Sequence, residues 1–251
     1  MPMRLAANLS MMFNELPFLD RFAAARAAGF EAVEFLFPYA FDAREIAARL
    51  EGEGLEQVLF NLPPGDWEAG ERGLAALPGR EAAFREGVAR AADYAAALGC
   101  RTLHAMAGIG GDDAVYRENL AFAADALGDL TLTVEPINPV DMPGYHLADM
   151  DAGAALVAGM DLPNLRLQFD LYHCHRIHGE VADRIARHAP LVAHWQVAGF
   201  SGRHEPGPDE IALIVAAARA TPDLAMGCEY RPAGATKAGL GWLDAARQAM
   251  P

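Results

Sequence analysis

The sequence has 251 residues, of which 53% are hydrophobic, and its formal net charge at pH 7 is −14. This composition is sufficient for a sizeable core, and no uncharged apolar stretch reaches the roughly 18 residues that a transmembrane helix needs, so we predict no membrane span. The strong negative charge disfavours nucleic acid as a partner, because phosphate groups are repelled.

Strand-like and helix-like segments alternate along the entire chain. The predicted strands are short apolar runs at residues 5–9, 32–36, 55–60, 102–106, 130–135, 165–170, 191–197 and 224–229. The predicted helices, several of them rich in alanine, span residues 17–28, 42–53, 80–98, 115–127, 149–158, 180–188, 209–219 and 236–250. Gly29 and Gly99 stop the first and third helices, and Asp42 is a favourable N-cap for the second.

Strict alternation of eight strands with eight helices predicts a parallel sheet with crossover helices. Within 251 residues, this pattern predicts an α/β fold of one domain, a (β/α)8 TIM barrel that spans residues 1–251. The alternative is an open, doubly wound sheet, which usually has a glycine-rich phosphate-binding turn after an early strand. Residues 10–14, which follow the first predicted strand, contain no glycine, and this favours the barrel.

The N-terminus and the cysteines bear on the compartment. The first residues enter a strand-like run directly and lack the long apolar region of a signal peptide. The three cysteines, at positions 100, 174 and 228, are an odd number without CxxC spacing. This usage is typical of reduced thiols rather than of a disulfide framework or a zinc site. We therefore predict a cytoplasmic protein.

Four consecutive predicted strands each carry an oxygen-bearing side chain at or near their C-terminal end. These side chains are Glu135, Asp170, Gln196 and Glu229. Because the C-terminal ends of barrel strands form the active-site rim, we expect the four side chains to share one site. Carboxylate and amide oxygens suit Mg²⁺ or Mn²⁺ as a cofactor. The alternative is that each side chain caps a neighbouring helix or pairs with an arginine.

Two glutamates on such a rim can flank a bound substrate. A divalent metal that polarises a carbonyl group makes the neighbouring C–H proton more acidic. Of Glu135 and Glu229, one would remove this proton and the other would deliver a proton to the adjacent carbon of the enediol. We therefore predict an aldose–ketose type isomerase in which these two glutamates are catalytic.

Four further residues are candidates for substrate binding. His173 lies on a predicted loop over the rim, where simple loop packing is the alternative. His104 lies inside the fourth predicted strand, where a hydrogen-bonded core histidine is the alternative. Arg203 could hold a carboxylate or an oxyanion with two hydrogen bonds, or it could form a surface ion pair with Glu205. Glu34, in the second predicted strand, completes the set.

A long loop at residues 61–73 follows the third predicted strand and contains Trp67. Long structured loops in compact domains are uncommon and are often functional. We expect Trp67 to hold this loop in place, and an aromatic lid over the site is the alternative.

Short motifs throughout the chain resemble the hydroxypyruvate isomerase family. They are NLSM (8–11), VEFLFPY (33–39), FNLP (60–63), GDW (65–67), GERG (70–73), PGY (143–145), QFDLYH (168–173), GRHEP (202–206) and CEYRP (228–232). The resemblance extends over nearly the whole chain, and the motifs of the long loop and of residues 202–206 are its most specific parts.

The resemblance implies a fold, a reaction and a set of roles. It implies a xylose-isomerase-like barrel in which Glu135 and Glu229 transfer the proton and join Asp170 and Gln196 as ligands of a divalent metal. By analogy with related epimerases, His173 and Arg203 would contact substrate oxygens. The implied reaction interconverts hydroxypyruvate and 2-hydroxy-3-oxopropanoate, and a close relative isomerises 2-oxotetronates. The expected partner is thus a small hydroxy-oxo acid, and homo-oligomer formation stays open.

Two other functional hypotheses are compatible with such a barrel. A metal-dependent endonuclease or hydrolase would need a multi-metal site rich in histidine and a basic cleft. The net charge of −14 and the presence of Gln196 at a position where that site would have histidine disfavour it. A binding or regulatory protein that has lost catalysis is the third hypothesis, and the intact pair of glutamates disfavours it.

Overall fold

Residues 3–251 of the chain are described by a computed structural model. Eight parallel strands are hydrogen-bonded in chain order, and the last pairs with the first, so that the sheet closes into a barrel. The strands are β1 (Arg4–Asn8), β2 (Ala32–Glu34), β3 (Glu56–Asn61), β4 (Thr102–His104), β5 (Thr131–Val134), β6 (Leu165–Asp170), β7 (Val192–Val197) and β8 (Ala225–Cys228). This closed barrel confirms the predicted (β/α)8 fold class and excludes the open sheet.

The described residues 3–251 contain nine α-helices, one more than the sequence pattern predicts. They are α1 (Arg21–Ala27), α2 (Ala43–Glu53), α3 (Glu81–Leu98), α4 (Asp113–Leu127), α5 (Met150–Met160), α6 (Leu171–His178), α7 (Ala182–His188), α8 (Pro208–Ala220) and α9 (Gly241–Ala249). The predicted segments 17–28 and 236–250 are each divided, because a short 3₁₀ turn precedes α1 and another precedes α9.

The additional helix α6 begins directly after β6. Asp170 is its N-cap: the Oδ1 atom accepts a hydrogen bond of 2.8 Å from the backbone N–H of Tyr172. His173 lies on this helix and is buried, so its prediction as a loop residue is wrong. A helix of 8 residues with polar and aromatic side chains in every turn offers too little apolar periodicity to be recognised from the sequence.

The barrel interior changes from apolar to polar toward the C-terminal ends of the strands. Ala6, Ala32, Val58 and Ala225 form a small apolar cluster. Asn8 and Glu34 lie two residues further along β1 and β2, on the same faces as Ala6 and Ala32, because side chains alternate along a strand. Asn8 donates to Glu34 over 2.9 Å, so polar groups fill the upper part of the barrel.

The remaining general predictions concern membranes and disulfides. Among the helices of residues 3–251, none combines the length and the hydropathy that crossing a bilayer would require. The three cysteines are buried and free, as their number and spacing predict.

Candidate active site

A cavity of about 760 Å³ opens at the C-terminal ends of the barrel strands. Glu135 and Glu229, which directly follow β5 and β8, line this cavity together with His104, His173 and Arg203. Five of the eight residues that the sequence predicts for the site therefore reach the cavity wall. The other three, which are Asp170, Gln196 and Glu34, lie behind or beneath it and are fully or almost fully buried.

Three buried carboxylates and one imidazole converge at the base of the cavity. One side-chain N or O atom from each of Glu135, Asp170, His173 and Glu229 lies within 4.8 Å of the others. The C-terminal ends of β5, β6 and β8 provide the carboxylates, while the first turn of α6 provides the imidazole. We call these four residues the acidic group.

Burial changes the proton affinity of all three carboxylates. It raises the pKa of Glu135 well above the ordinary range, and repulsion from Glu229 and Asp170 adds to the effect. Burial likewise raises the pKa of Glu229 to about 8, although the Arg203 guanidinium opposes the shift. The pKa of Asp170 rises to about 6 for the same first reason. Like-charged groups so close together resist simultaneous ionisation, so the group can hold carboxylate and carboxylic acid forms at once.

Arg203 partly neutralises the acidic group from the cavity side. Its Nη2 atom donates to Glu229 Oε2 over 2.8 Å and lies 3.7 Å from Asp170 Oδ2. The guanidinium also lies over the Tyr172 ring, 5.0 Å from the ring centroid. Its backbone φ is +57°, a left-handed conformation that non-glycine residues seldom adopt. Arg203 is thus engaged by protein carboxylates before any substrate binds.

His104 approaches the group from β4. Its Nδ1 atom is 3.2 Å from Asn61 Oδ1 and 3.7 Å from Glu135 Oε2. Its Nε2 atom is buried and has no hydrogen-bond partner within residues 3–251. Burial, followed by repulsion from His194, lowers the pKa of His104 to about 3. The ring is therefore neutral at physiological pH and leaves one nitrogen for a ligand in the cavity.

Gln196, the remaining predicted metal ligand, pairs with Asp170 in the register of β6 and β7. Its Nε2 atom donates to Glu34 Oε1 over 2.9 Å, and its Oε1 atom accepts from Gln168 Nε2 over 2.7 Å. The contact with Glu34 therefore turns the amide nitrogen of Gln196 toward Glu34. Because an amide oxygen has two acceptor positions, the Oε1 atom keeps one position beyond its contact with Gln168.

Glu34 does not line the cavity. It accepts hydrogen bonds from Asn8 Nδ2 over 2.9 Å and from Gln196 Nε2 over 2.9 Å, and it lies 2.6 Å from His194 Nε2. These three contacts occupy both carboxylate oxygens. We therefore correct its expected role from substrate contact to the orientation of Gln196.

Gly227 on β8 provides the space that Glu34 needs. A Cβ atom at residue 227 would overlap the Glu34 carboxylate. We expect Gly227→Ala to lower the free energy of unfolding by roughly 1–3 kcal/mol, the usual cost of overpacking a core. Urea denaturation would measure this loss. Gly52→Ala in α2 is a matched control, because a Cβ there meets no atom within 4 Å. An equal, small effect of both substitutions would contradict the steric argument.

The acidic group fits a divalent cation. Glu135 Oε1 and Asp170 Oδ2 are buried without a hydrogen-bond partner in the described residues 3–251. Buried carboxylates without compensation are costly, and a hard cation held by oxygen ligands would supply that compensation. The residues therefore have the donor atoms and the unused oxygens that such a cation requires.

The raised carboxyl pKa values predict how stability depends on pH without added metal. Glu229 has an ordinary pKa of 4.5 when unfolded and about 8 when folded. Between these values Glu229 binds more protons in the folded protein than in the unfolded chain, so this group makes stability fall as the pH rises; the lowered pKa of His104 opposes it only below about pH 6.5. We expect the Tm in EDTA to be several degrees lower at pH 8 than at pH 5, with each kcal/mol worth about 2–4 °C at this size. Mg²⁺ at pH 8 should recover part of the loss. A Tm that rises over this interval in EDTA would argue against the three buried charges.

Two residues that position the site were not among the sequence candidates. Asn138 contacts His173, and Gln168 donates to Glu135 Oε2 over 3.1 Å. The sequence position of each residue could have identified it. Gln168 is two residues before Asp170 and so faces the same side of β6, and Asn138 follows the Glu-Pro step by two residues, where a turn is expected.

Comparisons with known proteins find relatives that align with nearly the whole chain. The sequence model of a family described as Xylose isomerase-like TIM barrel matches residues 22–246. A 2-oxo-tetronate isomerase of Cupriavidus necator is 52% identical, with 96% of this chain and 97% of that protein aligned. A hydroxypyruvate isomerase of Escherichia coli is 42% identical, with 96% and 98% aligned. A crystal structure described as an AP endonuclease of family 2 from Brucella melitensis has a TM-score of 0.93 and 46% identity, covering 98% of this chain and 99% of that one.

Proposed function

Because the chain belongs to the xylose isomerase-like TIM barrel family, we propose that it isomerises a short hydroxy-oxo acid, with hydroxypyruvate as the main candidate substrate. The observation that carries the proposal is the pair Glu135 and Glu229, whose buried side-chain oxygens lie within 4.8 Å of each other at the base of the cavity. Two relatives aligned over nearly their full lengths are named as isomerases of such acids, which supports it.

The proposed chemistry moves one proton between adjacent carbons. One glutamate of the pair takes a proton from C3 of hydroxypyruvate, and the electron pair of the broken C–H bond forms the C2=C3 bond of an enediol. The other glutamate then gives a proton to C2, while the hydroxyl proton on O3 is lost and O2 gains one, which yields 2-hydroxy-3-oxopropanoate. The raised pKa values of Glu135 and Glu229 suit a pair that must hold a base and an acid together near neutral pH.

A divalent cation would be held by Glu135, Asp170 and Glu229, with the Gln196 amide oxygen as a fourth ligand. When bound, the cation polarises the substrate carbonyl and so makes the adjacent C–H proton more acidic. Mg²⁺ and Mn²⁺ are the proposed metals, since all four ligand atoms are oxygens.

Arg231 is the proposed anchor for the substrate carboxylate. It lines the cavity and comes two residues after Glu229. Within residues 3–251 its guanidinium has no ion-pair partner, whereas Arg203 is held by Glu229 and Asp170. An arginine without a protein partner at the mouth of an acidic cavity can bind a carboxylate with two charge-assisted hydrogen bonds.

Removal of this anchor should weaken substrate binding. A hydrogen bond to a charged group contributes about 1.5–3 kcal/mol, so we expect Arg231→Ala to raise KM by roughly 10–100-fold with a smaller effect on kcat. Arg231→Lys keeps the charge but cannot form two parallel hydrogen bonds with a carboxylate, so its KM should be intermediate. Steady-state kinetics with the acid substrate measure both variants, and an unchanged KM in Arg231→Ala would refute this anchor.

The second candidate substrate is 2-oxotetronate, which is one carbon longer. It is favoured by the 52% identity to a 2-oxo-tetronate isomerase. The same glutamate pair would serve both acids, because the proton moves between two adjacent carbons in each case.

Endonuclease activity is disfavoured for this chain, although one similar structure is described by that name. The net charge is −14, and binding of a phosphate backbone relies on Lys and Arg contacts.

A turnover panel followed by NMR tests the proposed isomerase activity: hydroxypyruvate and 2-oxotetronate are each incubated with the protein, with Mg²⁺ or with EDTA. Conversion of at least one acid is expected, and conversion of neither would reject the proposed function.

A further inference from the structure

We propose that Asn138 fixes the tautomer of His173, so that the Nε2 atom carries the ring proton and acts as a hydrogen-bond donor in the acidic group rather than as a metal ligand. Asn138 is then a positioning residue that acts through His173. The use of this donor toward a substrate oxygen rests on the proposed function, whereas the tautomer itself does not.

The orientation of the Asn138 amide is determined by its neighbours. Its Oδ1 atom accepts hydrogen bonds from the backbone N–H groups of Val140 and Asp141, at 3.1 Å and 2.9 Å. Its Nδ2 atom donates to Asp141 Oδ2 over 3.1 Å. A flipped amide would place its NH₂ group against two N–H donors and its oxygen against a carboxylate. Only one orientation is therefore compatible with these contacts.

This orientation directs two donors at one ring nitrogen of His173. The Nδ1 atom lies 2.7 Å from Asn138 Nδ2 and 3.4 Å from the Asn138 backbone nitrogen. Nδ1 must therefore present its lone pair, and an imidazolium, which has N–H on both nitrogens, is excluded by the same contacts. The single proton of the neutral ring is on Nε2.

The Nε2–H group points toward the carboxylates. Nε2 is 3.8 Å from Glu135 Oε1 and 3.7 Å from Asp170 Oδ2, the same two oxygens that have no hydrogen-bond partner within the described chain. A nitrogen that carries a proton has no lone pair for a metal. Proximity alone would make His173 a ligand, but its tautomer makes Nε2 a donor for a substrate oxygen beside the carboxylates, which themselves lie beyond hydrogen-bond distance.

The tautomer can be measured directly by long-range ¹H–¹⁵N correlation spectra of protein with ¹⁵N-labelled histidine, with His173 assigned from a His173→Leu variant. In the wild type we expect an unprotonated Nδ1 and a protonated Nε2. The double variant Asn138→Asp/Asp141→Asn keeps the charge of the pair and exchanges its polarity, so that residue 138 can accept from Nδ1–H. Nδ1 should become protonated there, while Asp141→Asn alone should retain the wild-type pattern. A protonated Nδ1 in the wild type, or an unprotonated Nδ1 in the folded double variant, would overturn the proposal.

Metal affinity gives a second, independent readout. Loss of even an outer-shell partner typically costs about 10–100-fold in metal affinity, so loss of a ligand should cost at least that much. We expect His173→Leu to lower the Mn²⁺ affinity in a calorimetric titration by no more than the roughly 10–100-fold of an outer-shell partner, whereas Asp170→Asn should exceed that range. Equal losses in the two variants would show that His173 is a ligand. Neither experiment depends on turnover, so their failure is distinguishable from failure of the proposed isomerase activity.

Discussion

Glu135→Gln and Glu229→Gln are each expected to fold and to lose at least ~10² in kcat, the lower end of what a positioned general base contributes. The substitution keeps the size of each side chain and removes its ability to exchange a proton. Loss of either residue should have nearly the full effect of losing both, because the reaction needs one group to take the proton and another to return it.

Glu135→Gln should increase the stability of the protein although it removes activity. Burial and repulsion raise the pKa of Glu135 well above the ordinary range, so its charge destabilises the folded protein when no cation is bound. A neutral glutamine removes that charge, and the Tm of Glu135→Gln at pH 8 in EDTA should exceed that of the wild type. Glu210→Gln is the control. Glu210 lies outside the site, and its carboxylate accepts hydrogen bonds from the backbone N–H groups of Phe200 and Gly207 at the start of α8. The kcat of this variant should be near normal. Near-normal kcat in Glu135→Gln would remove the basis for proton transfer by this residue.

Arg203→Ala is expected to reduce the free energy of unfolding at pH 8 by roughly 3–5 kcal/mol, the cost of leaving buried charges without their partner. Arg203 contacts Glu229 and Asp170, and no other arginine or lysine side chain of residues 3–251 forms an ion pair with either carboxylate. At pH 5, below the pKa of about 6 of Asp170 and about 8 of Glu229, both carboxyls are largely protonated when folded. The loss should therefore be much smaller there.

Urea denaturation at both pH values measures this effect, and Arg203→Lys is the matched control because it keeps the charge. A pH-independent loss in Arg203→Ala would indicate that packing against Tyr172, rather than charge, accounts for it.

The structure also changes what the sequence predicts for this residue. Arg203 was a candidate anchor for a substrate anion, and its contact of 2.8 Å with Glu229 shows that it first balances the acidic group.

The fold could be predicted almost completely, because the barrel depends on a pattern that local sequence displays. Each of the eight apolar runs coincides with a strand. The largest differences are in β2 and β4, each of which ends two residues earlier than predicted. In β2 the register with β3 shifts between Val33 and Glu34, which ends regular pairing early. Helix α6 was missed, since it depends on the Asp170 cap and on burial against the barrel rather than on a stripe of apolar residues.

The site could be predicted in outline but not in its hydrogen bonding. Glu135, Asp170 and Glu229 were identifiable because a carboxylate at the end of an apolar strand points to the rim of a barrel. The role of Glu34 was not, since it depends on Gly227 from β8 leaving space for the carboxylate. Contacts of this kind join residues far apart in sequence, and no spacing rule connects them.

The tautomer of His173 shows the same limit at the scale of one proton. The sequence places a histidine near the proposed ligands, and the chemistry of histidine permits either a ligand or a donor. Only the amide of Asn138, itself fixed by the backbone of Val140 and Asp141, distinguishes the two.

The central claim is that Glu135 and Glu229 move a proton between adjacent carbons of a short hydroxy-oxo acid. It is tested most directly by ¹H and ¹³C NMR of hydroxypyruvate and of 2-oxotetronate incubated with the Mg²⁺-loaded protein in D₂O. The predicted result is conversion of at least one acid, with deuterium at the carbon that is protonated. In Glu135→Gln and Glu229→Gln, conversion and deuterium incorporation should both be lost. Absence of conversion and of deuterium incorporation for both acids with the wild-type protein would contradict it.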